Sequence, residues 1–191
     1  MFRVISRCLI AFAVCCPLAA MARPAHHARA PAAKPADTGG DSATALGQFK
    51  DWGAFTRGEG EAKVCYALSE PKTKEPANAK RDPIYFLVNN WPARHSRGEP
   101  EIVPGYSYKD GSTVTVQVGA DRFTFFTKDE GGNGSAWALN AADQGKLVAA
   151  MKNGGVALVT GTSKRGTVTK DSYSLAGAGE AIDKAAQACG M

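Results

Sequence analysis

The sequence contains few of the residues on which catalytic sites depend. It has only three histidines among 191 residues, and two of them, His26 and His27, lie in a stretch of alanine, proline and small polar residues. His95 is the one histidine left for the predicted domain, and its basic neighbours are Arg94 and Arg97. A Ser–His–acid hydrolase needs a serine beside a histidine that a carboxylate orients. Since no such arrangement is visible, we predict no catalytic residues and a protein that is not an enzyme.

Other motifs that carry chemistry are absent as well. In the run 161–166, Arg165 stands where a nucleophile elbow has its second glycine, so the run around Ser163 predicts a turn between strands. The glycine cluster 131–134 is not followed by the residues of a phosphate-binding loop, and no calcium-loop spacing is present. We predict no cofactor and no metal. Paired carboxylates of a glycan-cleaving enzyme are a spatial arrangement, so a hydrolase with residues scattered in sequence remains the alternative.

The N-terminus has the pattern of a signal peptide. Arg3 and Arg7 give a positive start, and the run 8–18 is almost wholly apolar but too short to span a bilayer comfortably. Ala20-Met21-Ala22 then places small residues where signal peptidase reads them. We therefore predict that residues 1–22 are cleaved and that the protein is periplasmic or secreted, with an uncleaved anchor as the alternative.

The remaining chain divides into a linker and a domain. Residues 23–45 are rich in alanine and proline and cannot bury apolar area, which predicts a disordered linker. Residues 46–191 form one predicted domain. Without the arginines of segment 1–22, which contains no acidic residue, 21 basic and 18 acidic residues leave a net charge of +3. This mild charge suits weak contact with anionic envelope surfaces and peripheral membrane contact, and it argues against a nucleic-acid partner.

Cleavage of the signal peptide would leave two cysteines, Cys65 and Cys189. In a compartment that oxidises thiols, the simplest expectation is one disulfide that closes nearly the whole domain. The alternatives are a shared metal site or two free thiols. Two cysteines cannot complete a tetrahedral site, and no histidine sits at ligand spacing from either.

Alternating polar and apolar residues predict a mainly β domain. The run Thr113–Val118 places valines on one face and polar residues on the other. Phe125 and Phe126 must face opposite sides of the next strand, so one of them lies in an exposed patch or, as we expect, beneath a helix. About nine short strands separated by turns predict a β-sandwich-like or open-barrel domain with two accessory helices.

The two helices have distinct signals. Asn140 can cap a helix with Asp143 three residues on, and Asn153-Gly154 is a suitable stop. The tail 179–189 carries an apolar stripe at helical spacing that includes Ile182 and Cys189. A disulfide would then attach this last helix to the second strand.

An ordered set of residues across 46–191 is shared with a known family. The set comprises Trp52 and Cys65, Gly105-Tyr106 with Lys109 and Ser112, Ala136-Trp137, Met151 with Gly154-Gly155, the run 161–167, the run 171–175, Gly177, Ala181 and Cys189. On these residues the chain resembles the invasion-associated locus B family of exported alphaproteobacterial proteins. The resemblance implies a role in host-cell interaction or in the cell envelope, without an assigned enzymatic activity and without catalytic residues to carry over.

Basic residues in predicted loops are the candidate binding surface. Arg94 and Arg97 precede one predicted strand, and Lys164 and Arg165 lie in the turn between the last two. If these loops cluster, they would form a basic rim for a lipid headgroup, a glycan or an envelope or host-surface protein. Because acidic residues are interspersed, an ordinary solvated surface is the alternative. The predicted function is therefore that of an exported, non-enzymatic binding protein.

Overall fold

A computed structural model describes residues 42–130 and 132–191. The predicted signal peptide 1–22 and the linker up to residue 41 lie outside the described residues. The first strand begins at Thr44, two residues before the predicted start of the domain, because 44–49 pair with the strand that follows.

The described residues form eleven strands in one antiparallel sheet and two α-helices. The strands are β1 (Thr44–Phe49), β2 (Trp52–Arg57), β3 (Val64–Ser69), β4 (Thr73–Glu75), β5 (Tyr85–Trp91), β6 (Ser96–Val103), β7 (Thr113–Val118), β8 (Asp121–Glu130), β9 (Asn133–Ala138), β10 (Val156–Thr162) and β11 (Val168–Ser174). The helices are α1 (Ala141–Asn153) and α2 (Ala178–Ala188). Their order across the sheet is β1-β2-β3-β5-β6-β9-β8-β7-β10-β11-β4.

The sheet curls until its two halves face each other. The indole N–H of Trp52 on β2 donates to the carbonyl of Ser174 on β11 at 2.8 Å. The rings of Phe86 on β5 and Tyr173 on β11 meet edge to face, with centroids 5.5 Å apart. These contacts join strands that are far apart in the sheet order, so the core lies between the halves. The fold is the mainly β, sandwich-like or open-barrel domain that the sequence predicts.

Local sequence patterns explain why the strands and helices form where they do. Val114, Val116 and Val118 of β7 are buried in the core, and the residues between them face outward. Asn140 caps α1 by accepting from the backbone N–H of Asp143 at 2.9 Å, and α1 ends at Asn153 as predicted. Both helices pack on the inner face of the sheet, because their buried side chains belong to the single core cluster.

The disulfide between Cys65 and Cys189 is present, with an S–S distance of 2.11 Å. It joins the buried start of β3 to the residue that ends α2. The apolar stripe of α2, including Ile182, is buried against the sheet. The last helix is therefore held by a covalent bond as well as by packing, as the sequence predicts.

The two strands beyond the predicted nine come from segments without the usual strand or turn signals. Residues 49–55 form the end of β1, a tight turn and the start of β2, because Lys50 adopts a left-handed φ of 51°. Strand β4 is short, polar and exposed. Strand β6 contains Pro100, which is tolerated because β9 pairs only with Glu101 and Ile102.

Candidate functional site

The structure does not bring the four predicted surface cations together. Arg94 and Arg97 lie at the turn between β5 and β6, and Lys164 and Arg165 at the turn between β10 and β11. Every neighbouring pair in the order β5-β6-β9-β8-β7-β10-β11 is antiparallel. Strand direction therefore alternates, and the two turns project from opposite ends of the sheet. The two turns do not cluster, so the condition for one basic rim from all four residues is not met.

Lys164 and Arg165 line a cavity of about 640 Å³, which we call the hairpin pocket. Its lining contains four cationic side chains and five hydroxyl-bearing ones, with no carboxylate among them. The residues are Ala79, Lys80, Arg81, Tyr106, Ser107, Ser163, Lys164, Arg165, Thr167 and Thr169. A concave surface with this composition favours an anionic group that accepts hydrogen bonds.

The floor of the hairpin pocket rests on a buried ion pair. The two terminal guanidinium nitrogens of Arg81 donate to the two carboxylate oxygens of Asp171 at 2.7 and 2.6 Å. Both side chains are only 2% exposed. The Nε of Arg81 donates to the carbonyl of Pro104 at 2.8 Å. Because Arg81 donates to Asp171 and Pro104 and Asp171 compensates its charge, Arg81 contributes shape to the pocket rather than net positive charge.

Tyr106 covers this ion pair. The Arg81 guanidinium carbon lies 5.0 Å from the centre of the Tyr106 ring, a cation–π distance. The Tyr106 hydroxyl shares a 2.6 Å hydrogen bond with Thr169. Gly161 leaves room for the ring, since a Cβ there would lie 2.9 Å from the Tyr106 hydroxyl. Burial raises the pKa of Tyr106, so its hydroxyl stays protonated as a donor at neutral pH.

Two more tyrosines line the inner side of the ion pair. The hydroxyls of Tyr108 and Tyr173 are buried and have no hydrogen-bond partner among the described residues. Burial raises the pKa of both phenols, and the negative charge of Asp171 acts in the same direction. The site beneath the pocket therefore consists of neutral phenols around one compensated ion pair.

The cationic wall of the pocket is presented by an ordered turn. Thr167 donates its backbone N–H to the Ser163 hydroxyl at 3.2 Å, and Ser163 donates its own N–H to the Thr167 carbonyl at 2.9 Å. This confirms the prediction of a turn between strands at Ser163. The backbone N–H of Lys164 donates to the carbonyl of Ser107 at 2.8 Å. The exposed side chains of Lys164 and Arg165 thus start from a fixed backbone.

The other predicted cations lie in a different setting. Arg94, His95 and Arg97 line a cavity of about 610 Å³ between the β5–β6 turn and the two helices. Its lining also contains Lys152 and Asp183, which form an ion pair. This cavity has mixed charge. Of its polar residues, Ser96 donates to Glu99 at 3.2 Å and Asp183 pairs with Lys152.

Among the residues that the structure describes, no group of three or more His, Cys, Asp or Glu side chains could hold a metal ion. No described helix is both long and apolar enough to cross a membrane. No protein-family model, curated protein or solved structure matches the chain.

The sequence reveals the cationic residues of the hairpin pocket but not the ion pair at its floor. The basic character of Lys164 and Arg165 was visible, and so was that of the loop containing Lys80 and Arg81. The pairing of Arg81 with Asp171 was not predicted, because it joins residues 90 positions apart. The one available signal was the position of Asp171 inside the run 171–175 that carries the family resemblance.

Proposed function

We propose that this chain is an exported, non-enzymatic binding protein of the cell envelope or the cell exterior, akin to the invasion-associated locus B proteins it resembles. Its ligand is an acidic group, a phosphate or a carboxylate, held in the hairpin pocket. The ligand belongs to an envelope or host surface. The observation that carries the proposal is a cavity lined by four cations and five hydroxyls without a carboxylate.

The chemistry of the pocket supports an anion. Lys80, Lys164 and Arg165 are exposed, and none of them has an ion-pair partner within residues 42–130 and 132–191. The hydroxyls of Ser163 and Thr167 stand beside them and can donate to phosphate or carboxylate oxygens. Charge-assisted hydrogen bonds of this kind are about twice as strong as neutral ones.

The disulfide supports export. Structural disulfides persist in oxidising compartments and are rare in a reducing cytosol. The Cys65–Cys189 bond spans 124 residues of the domain, and it fits an oxidising, extracytoplasmic environment. We propose that the protein acts in the periplasm or outside the cell.

The test compares anionic and neutral partners. We would measure binding of the purified domain to vesicles of phosphatidylglycerol, to vesicles of phosphatidylcholine, and to soluble polygalacturonate. We expect binding to an anionic probe that weakens with added salt. Binding to the anionic vesicles alone identifies a lipid headgroup, and binding to polygalacturonate alone identifies an acidic glycan. Absence of binding to both anionic probes would contradict the proposal.

Two matched double variants distinguish binding in the hairpin pocket from attraction by the net charge of the protein. Lys164→Gln/Arg165→Gln and Arg94→Gln/Arg97→Gln each remove two exposed positive charges, at opposite ends of the sheet. We expect the first variant to bind at least about tenfold more weakly, which corresponds to about 1.4 kcal/mol. The second should bind within about twofold of the unmodified protein. An equal loss of affinity in the two variants would show that net charge attracts the probe, and it would refute binding in the hairpin pocket.

A further inference from the structure

A second concave surface lies on the outer face of the sheet, where β6, β9 and β8 are neighbours. Glu101 is the register partner of Trp137, and Trp137 is the partner of Phe126, so the three side chains form a row on one face. Phe125 is fully buried on the opposite, inner face, and Phe126 is 43% exposed. The expectation that a helix covers the outward phenylalanine is wrong, because both helices pack on the inner face.

This row belongs to a cavity of about 690 Å³, which we call the outer groove. Its volume lies within the range of about 300–1,000 Å³ that is usual for small-molecule sites. The lining residues are Trp91, Arg94, Glu99, Glu101, Phe126, Lys128, Trp137, Ala138 and Gln144. The groove shares Arg94 and Gln144 with the mixed-charge cavity at the helices and shares no lining residue with the hairpin pocket.

Aromatic rings supply the apolar part of the outer groove. The rings of Phe126 and Trp137 lie 5.7 Å apart with planes 31° from parallel. Trp91 adds a third ring, and the guanidinium of Arg94 lies 4.2 Å from its centre. An aromatic cluster that reaches solvent on a sheet face is the kind of patch that marks a binding surface.

Oriented polar groups stand beside these rings. The Glu101 carboxylate accepts a hydrogen bond from the Asn89 amide at 2.8 Å and another from Ser135. Burial raises the pKa of this carboxyl. Glu99 lies two residues earlier on the same strand and therefore faces the same side. Its carboxylate accepts a hydrogen bond from Ser96 at 3.2 Å. The groove thus presents acceptors held in fixed directions next to apolar ring faces.

We propose that the outer groove binds pyranose rings of a neutral glycan chain. A pyranose has an apolar C–H face that packs on an aromatic ring and hydroxyls at its rim that donate to carboxylates. The two carboxylates of the groove balance its two cations, Arg94 and Lys128, so the groove offers no net positive charge to a polyanion. A purely apolar partner would remove water from Glu99 and Glu101 and would offer no donor for their remaining acceptor positions, which is unfavourable. A sugar satisfies the rings and the carboxyl groups at once.

The test uses two uncharged probes, cellohexaose and the hexamer of N-acetylglucosamine, in titration calorimetry with the purified domain. We expect at least one of them to bind. Phe126→Ala should weaken that binding at least about fivefold, because it removes a stacking face that is exposed in the free protein. Glu101→Ala should weaken it to a similar extent, because it removes the oriented acceptor.

Phe55→Ala is the matched control. Phe55 also lies on the outer face and stacks on a second ring, Tyr66, at 5.5 Å, but it lies outside the groove. Its loss should leave sugar affinity within about twofold. The denaturation midpoint of each variant shows that it is folded at the titration temperature.

Three results would overturn the inference. The first is no binding of either hexasaccharide. The second is an affinity that Phe126→Ala leaves unchanged. The third is self-association of the protein, measured by sedimentation and abolished by Phe126→Ala without sugar binding, which would assign the groove to a second copy. Lys164→Gln/Arg165→Gln should keep sugar affinity, so failure of the anion site and failure of the groove are distinguishable.

Discussion

Removing the carboxylate of Asp171 should destabilise the domain far more than removing an exposed ion pair. Asp171 and Arg81 are each 2% exposed and share two hydrogen bonds of 2.7 and 2.6 Å. In Asp171→Ala the guanidinium would stay charged and keep only the Pro104 carbonyl as partner. Breaking a buried pair in this way costs about 3–5 kcal/mol of unfolding free energy. For a domain of about 150 residues, this corresponds to a fall in Tm of roughly 6–20 °C.

A double substitution tests the reason for this loss. Arg81→Met/Asp171→Leu removes both charges and fills the site with apolar side chains of similar length. Replacement of a buried ion pair by apolar residues is often neutral or stabilising. We therefore expect the double variant to recover most of the stability that Asp171→Ala loses. Its unfolding free energy should lie within about 2 kcal/mol of the unmodified protein.

Urea unfolding followed by tryptophan fluorescence measures these differences at neutral pH under oxidising conditions. Lys72→Ala is the control, because the Lys72–Asp51 pair is also an ion pair but its lysine side chain is 51% exposed. That variant should lose no more than about 1 kcal/mol. A loss of less than about 1 kcal/mol in Asp171→Ala would refute the reasoning. A double variant as unstable as the single one would show that shape, rather than an uncompensated charge, is what Asp171 supplies.

Three other substitutions test further features of the fold. Cys189→Ser should lower the unfolding free energy by about 4–5 kcal/mol, because the disulfide spans 124 residues. A reductant should bring the unmodified protein to the same denaturation midpoint as the variant. Unchanged stability of the variant would contradict the disulfide. Gly177→Ala should destabilise by at least about 2 kcal/mol more than Gly166→Ala in chemical denaturation. Both glycines have positive φ, but only at Gly177 would the new Cβ meet a backbone oxygen, that of Phe49, at 1.9 Å. Burial raises the pKa of Glu101 in the folded state. The protonated carboxyl therefore contributes stability at acid pH, and this contribution is lost as the pH rises through the folded-state pKa. Glu101→Gln should therefore stabilise the protein at about pH 8 and have little effect at about pH 4, and destabilisation at the higher pH would count against this account.

Segments with strong local patterns could be predicted from the sequence. The alternation in β7, the Asn140 cap of α1 and the apolar stripe of α2 each depend on neighbours within a few residues. Segments without such patterns could not be predicted. The β1–β2 turn uses Lys50 in a left-handed conformation instead of the Asn-Gly or Asp-Gly pair typical of tight turns. Strand β4 is held by pairing with β11, which its polar sequence does not reveal.

The arrangement of the candidate site could not be predicted either, because it depends on contacts between residues far apart in the sequence. The sequence identified Arg94, Arg97, Lys164 and Arg165 as exposed cations, but which of them meet depends on strand order. That order contains crossovers, since β9 lies beside β6 and β10 beside β7. Local composition does not specify these neighbours. Long-range pairing is also what unites the loop containing Arg81 with β11, and so creates the floor of the hairpin pocket.

The lining of the hairpin pocket contains two kinds of residue: some are buried and maintain the fold, and others are exposed to solvent. Arg81 is buried and its charge is compensated by Asp171, so changing either residue affects stability first and binding only as a consequence. Lys164 and Arg165 are exposed on a turn whose backbone is held by Ser163 and Ser107. Surface substitutions of this kind usually change stability by less than about 0.5 kcal/mol. A loss of anion binding in Lys164→Gln/Arg165→Gln at unchanged stability would therefore report on recognition itself, which a change at Arg81 could not do.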